Sequence, residues 1–377
     1  MKELKLVIAM AIILCSCSKI KKEQFTQEIL KDGKIETKTI DIDFVTKDGA
    51  ISSPHLRSIH CTNLESLSFP GNKLKNVVKH EKTLPYDLLS KDVKKGSPTY
   101  YTIFTAYHFI KASEYYTSLM SEYITPEIKE SDKDIIVSIA DYMPMANNNS
   151  RFIFSTKAAI NPSSVYHKVG HRYEQFIKTK TNIVYKENRY IGIGFMEYFT
   201  TSLNQSPKIF EGVLPEALSR DVSKPVTLPI DMDQNSLYKG IMIMKESYID
   251  VYNQEGSAMR QYIDIVLQSE NILKNRYDSN LAALYITYPL WKIRETIGAE
   301  KTDRLVMHAW TILGNEGRKN SSFYTPNNGE EVSEKVCWYT VLHALLTADQ
   351  QDFKGENNKL IRDIFASVKY PVDRVSN

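Results

Sequence analysis

The sequence predicts an α+β protein, β-rich toward its N-terminus and mainly helical beyond, on three observations. Ile40-Asp41-Ile42-Asp43-Phe44 alternates strictly between apolar and acidic residues, the period of a strand with one buried face. Tyr100–Tyr123 is free of Gly and Pro and carries an apolar stripe through Phe104, Tyr107, Ile110 and Tyr115, the spacing of a helix. Beyond residue 190 the helical pattern recurs with start and stop signals. The 377 residues are 42% hydrophobic and 25% charged, ordinary values for a globular chain able to bury one large core or two lobes. Net charge is +3, too weak to argue for nucleic acid.

Lys2 and Lys5 precede the apolar run Leu6–Leu14, which is too short to span a bilayer but suits the core of a secretory signal. Residues 17–30 are polar and aperiodic, as expected of a tether. Residues 31–95 read as a small β-rich region, with Asp32-Gly33 and Asp48-Gly49 as turns and Pro54, Pro70 and Pro85 breaking any long element. After the aromatic helix, Ile135–Ile139 and Arg151–Ser155 read as strands around an Asn147–Ser150 loop or edge strand. Asn161-Pro162 then opens a helix, with Asn as N-cap and Pro in the first turn. Gly170 inside it costs about 1 kcal/mol relative to Ala, so a neighbouring element is expected close by. Gly192–Phe199 opens a second helix. Pro289 starts a segment stopped by Gly298, Thr302 caps Leu305–Leu313, and Ser333 caps a last long helix.

His167 and His171 are the chemical centre of interest. Histidines at i and i+4 share a helix face about 6 Å apart and can grip a metal. A water-activating motif of this type needs Glu after the first His; here Lys168 stands there, and a protonated ammonium offers no lone pair. Taken singly, the two histidines are as well explained as hydrogen-bonded helix residues.

Two resemblances extend this reading. Leu14-Cys15-Ser16-Cys17 resembles a bacterial lipobox, which implies cleavage after residue 16, acylation of Cys17 and attachment to the cell envelope; a plain secretory signal or a buried strand is the alternative. Cys61 and Cys337 then remain, able to pair in an oxidising envelope or to stand as two separate buried thiols. Second, Ala159–His171, Ile193–Phe199, Pro289–Gly298 and Leu345–Asp349 together resemble, in order, four segments of the thermolysin- and fungalysin-like zinc metallopeptidases, the gluzincins. The resemblance implies a two-lobed zincin-like domain over 96–370, a β-containing lobe plus a mainly helical lobe with the His helix between them.

The departures fall on the chemistry. The family's third zinc ligand, a Glu, is here Ile193; its general base is Lys168; its oxyanion-stabilising His is matched best by Asn280. His167 and His171 persist, with Glu197 or Glu174 as an oxygen that could complete a residual zinc site. A charged lysine about 5 Å from a +2 ion is repelled by roughly 6–7 kcal/mol at an effective dielectric of about 20, so Lys168 is expected to pair with Glu197 instead, with no cofactor. The leading expectation is a lipid-anchored envelope protein with a catalytically inactive metallopeptidase-like domain that binds a peptide or envelope protein. Two alternatives stand beside it. One is an active metal-dependent peptidase using His167, His171 and Glu197. The other is a structural or assembly lipoprotein acting through its N-terminal region.

Overall fold

The structure, a computed structural model, describes residues 23–31, 34–68, 77–90, 93–125, 133–139, 145–148, 151–181, 189–213, 220–224, 270–316, 338–368 and 372–375. Cys17, Ser333 and Cys337 lie outside them. Mixed helix and sheet are present, as the α+β reading requires. Among the described residues no helix is long and apolar enough to cross a membrane.

Strands β1 (Glu23–Lys31) and β2 (Lys34–Ile42) form an antiparallel hairpin with Glu23 opposite Ile42. The sequence reading gave 23–30 to the tether. Phe25 and Gln27 nonetheless turn inward two residues apart, and a hydrophobic pattern cannot register a buried glutamine. Phe25 packs 5.0 Å from the ring of Tyr100 in helix α1 (Pro98–Ser121), a helix capped by Ser97, whose hydroxyl accepts from the Tyr100 N–H.

A five-stranded sheet follows, built from β3 (Ser58–Ser68), β4 (Val77–Thr83), β5 (Asp134–Ile139), β6 (Met145–Asn148) and β7 (Arg151–Phe154). Their order is β4-β3-β5-β7-β6, the three central strands parallel and the two outer ones antiparallel to their neighbours. Ser58 registers with Asp134, so β3 and β4 share a sheet with strands beyond residue 96. Asn147 and Asn148 sit in edge strand β6, which settles the loop-or-strand alternative there. Ile59, Ile135, Val137, Phe152 and Phe154 turn into the core, with Phe152 5.9 Å from Phe109 of α1.

A short 3-10 turn at Ala158–Ile160 leads into α2 (Pro162–Thr181), the histidine helix, which packs between α1 and α3 (Arg189–Asn204). Asn161 caps α2 as expected, its Oδ1 accepting from the Ser164 N–H at 3.3 Å. A Cβ on Gly170 would lie 2.5 Å from Met196 Cγ and 2.9 Å from Tyr116 Oη, which is why a side chain is missing there. Gly194 lets α3 approach α4 (Glu270–Ile297) in the same way, against Ile286. Pro289 lies inside α4 rather than opening it, and α5 (Ala299–Glu316) begins straight after Gly298. Thr302, expected as a cap, is a first-turn residue whose hydroxyl donates to the Gly298 carbonyl at 2.8 Å. Helices α6 (Trp338–Phe353) and α7 (Asn358–Ser367) complete the helical part. Tyr198 and Arg294 meet around buried Asp303: the tyrosine hydroxyl donates to its carboxylate at 2.5 Å, and Arg294 reaches it through Ser202.

Candidate functional site

Helix α2 presents His167 and His171 with ring centroids 4.8 Å apart, the expected same-face pair. His167 is buried, and its Nδ1 has no hydrogen-bond partner among the described residues. Burial first, then the charges of His171, Lys168 and Arg220, hold its imidazole well below the usual histidine range. His171 is more open, at 28% side-chain exposure, and its Nδ1 lies 3.3 Å from Glu174 Oε2. Burial opposes ionisation of Glu174, but the hydrogen bond and charge of His171 and the Lys178 ammonium 2.6 Å away outweigh it and lower the pKa. Glu174 is therefore engaged on its own helix.

Lys168 is 5% exposed and forms no ion pair among the described residues. Desolvation pushes its pKa down from 10.5 to about 7. This corrects the sequence argument in one respect: burial disfavours the charged ammonium of Lys168.

The expected Lys168–Glu197 pair is absent, because Glu197 has another partner. Strands β8 (Lys208–Ile209) and β9 (Arg220–Asp221) form a two-residue ladder beyond α3. From β9 the Arg220 guanidinium contacts the Glu197 carboxylate, itself fully buried on α3. Desolvation dominates at Glu197 and raises its pKa to about 7, with Arg220 opposing. After β8, Phe210 is 2% exposed and adopts φ +60°, a left-handed conformation worth roughly 1–2 kcal/mol of strain for a residue with a Cβ. Its ring lies edge-on to His167 at 4.9 Å, and Arg220 sits 5.3 Å over the same ring. The β8–β9 ladder thus places an aromatic ring against His167 and a cation against Glu197. Neither residue was singled out from the sequence: they lie 43 and 23 positions from their partners, and no local motif marks them.

The other expected positions are less informative. Ile193, on the face of α3, is a partly buried hydrocarbon packed on the core. Asn280 lies within α4, its side chain outside the described residues. Cys61 is a free buried thiol whose pKa burial raises to about 11; its proposed partner Cys337 is undescribed.

A residual metal centre would need three converging donors. Among the described residues no group of three or more His, Cys, Asp or Glu side chains is arranged to hold a metal ion. The donor chemistry explains this: Glu197 is neutralised by Arg220, Glu174 by Lys178, and Ile193 offers nothing. Among the described residues the donor set does not fit a zinc centre. The sequence matches no protein-family model and no curated protein.

Proposed function

We propose that this chain is a lipid-anchored envelope protein whose zincin-like, two-lobed domain performs no metal-dependent hydrolysis and binds an extended peptide or protein segment. One observation carries the loss of chemistry: the acidic residue of α3, Glu197, is committed to Arg220, while the position after His167 holds a buried lysine with no ion pair among the described residues. With Ile193 at the position of the family's third ligand, three acidic positions of a working centre are replaced or occupied.

The binding role is supported by the edge of the sheet. β6 runs antiparallel to β7 and ends the strand order, so its outer backbone groups lack a strand partner among the described residues. An extended peptide can add there through main-chain hydrogen bonds. The anchor reading is supported by the lipobox-like Leu14–Cys17 run and by the tether before β1.

A peptide library presented to the purified protein tests this reading. Expected are retained peptides that stay intact and lose binding when their backbone amides are N-methylated, because methylation removes the donors that strand addition needs. Retention indifferent to N-methylation counts against β-addition.

A further inference from the structure

The rest of the chain treats the two edges of the β1–β2 hairpin differently. On the β1 side α1 lies alongside: the Glu28 N–H donates to the Tyr100 hydroxyl at 3.4 Å, and the Lys95 ammonium contacts the Glu28 carboxylate. On the β2 side Lys34, Ile35, Glu36, Thr37, Lys38 and Thr39 are all exposed, so both faces of the strand are bare there. Ile35 reaches 68% exposure, the exposed large hydrophobic side chain among the described residues. Among those residues no strand pairs with the outer edge of β2. A two-stranded ribbon is marginal in water, and an open edge is a template for a further strand.

The direction of the Glu28 N–H fixes what that edge offers. Glu28 stands opposite Thr37, yet its N–H turns away from β2 to Tyr100. The two therefore form a non-hydrogen-bonded pair, and the Thr37 N–H and C=O point to the open edge. Alternation sends the backbone groups of Ile35 and Thr39 the same way. An antiparallel strand meeting this edge bonds to Ile35, Thr37 and Thr39. Glu36 and Lys38 then fall in the closely spaced pairs, where opposed side chains meet.

The run Ile35-Glu36-Thr37-Lys38-Thr39 is charge-complementary to itself when reversed about Thr37. Thr37 then faces its own copy, Ile35 faces Thr39, and symmetry sets Glu36 against Lys38 twice. Centring on Ile35 instead runs the copy past the end of β2 at Lys34, and centring on Thr39 sets Lys38 against buried Ile40. Neither Glu36 nor Lys38 has an ion pair among the described residues. On its own chain Lys38 neighbours a cation: after burial, its charge is what lowers the Lys111 pKa. Glu36 of a second copy supplies the counter-charge.

We propose that the open edge of β2 pairs with β2 of a second copy of this chain, antiparallel about Thr37, to give a four-stranded sheet across a two-fold axis. Neither the histidine pair nor the β6 edge takes part in this contact. Five residues a side bury little area, so the dimer is a weak one, populated at about 100 μM protein.

The test is cysteine cross-linking of the purified full-length chain in detergent, under mild oxidant at about 100 μM. Thr37→Cys sets two Cα atoms about 5.5 Å apart across the axis, within disulfide range. Thr39→Cys sets them four residues out of register, roughly 14 Å apart, and is the control together with wild type. Expected is a reducible dimer in Thr37→Cys at about fivefold or more the yield of either control. Adding Glu36→Lys must remove that excess, because lysines then oppose each other twice, and adding Lys38→Glu to the same chain must restore it. Equal yields in Thr37→Cys and Thr39→Cys mean chance collision within micelles and overturn the proposal. An absence of dimer in Thr37→Cys overturns it too, and so does an excess indifferent to the charge reversal.

Discussion

His108 and His167 are both buried histidines, and in both burial leads the causes that push the imidazole well below its usual range. Their surroundings differ. His108 on α1 is bonded at both nitrogens, to the Tyr166 hydroxyl at 2.7 Å and the Gln27 amide oxygen at 2.9 Å. It is a polar clip that ties α1 to α2 and to strand β1. Among the described residues, His167 has an Nδ1 with no partner, a lysine with no ion pair beside it in sequence, and an aromatic ring pressed against it. Burial alone does not separate a structural histidine from one at a modified site; satisfaction of its nitrogens does.

The sharpest way to break this contrast is to remove the cation that closes the second site. Arg220→Ala leaves the Glu197 carboxylate buried without its counter-charge and should cost about 3–5 kcal/mol in urea unfolding. Glu197→Leu with Arg220→Met should return stability to within about 1 kcal/mol of wild type, because the pair and its desolvation vanish together. Equal losses in both variants would mean that the side chains matter for packing and not for charge.

Lys168→Met comes next. A lysine whose folded pKa is depressed contributes stability above its unfolded value near 10.5 and loses it as pH falls to about 7. The methionine variant should therefore be more stable by about 4 kcal/mol at pH 7, with the advantage fading as pH approaches 10.5. Glu197 works in the opposite sense: its raised pKa penalises the folded state as pH climbs from 4.5 to about 7. Thermal melts across pH 4–11 read both slopes, and a pH-independent gain for Lys168→Met would refute the buried-charge account.

The two histidines themselves give a smaller, diagnostic difference. His108→Phe strands Tyr166 and Gln27 and should cost about 2 kcal/mol, whereas His167→Phe deletes an unsatisfied nitrogen and should stay within about 1 kcal/mol of wild type. Denaturant midpoints that fall equally would erase the distinction. Smallest is Gly170→Ala, expected to cost roughly 1–2 kcal/mol because Met196 and Tyr116 must move aside. A stabilised alanine variant, by the same assay, would show that α2 and α3 are not in close contact there.

What could be read from the sequence follows from how local each signal is. The cap at Asn161, the close approach at Gly170 and the i, i+4 histidines depend on neighbours within a few residues, and all stand where the pattern put them. Strand β1 was missed because one of its inward residues is Gln27, polar in sequence yet satisfied by His108 across 81 positions. Pro289 was taken as a helix start because proline favours first turns, whereas α4 carries it internally. Glu197 was matched with the wrong base: its partner arrives on a two-residue strand with no periodicity to detect. Long-range charge pairing and the positive φ of Phe210 were beyond any local rule.

We propose that helices α2 and α3 support no metal-dependent hydrolysis. The direct measurement is release of new amino groups from a mixed peptide substrate by the purified chain, with zinc supplied and with zinc chelated. The account predicts no zinc-dependent product at neutral pH. Turnover that requires zinc and disappears in His171→Ala would contradict it.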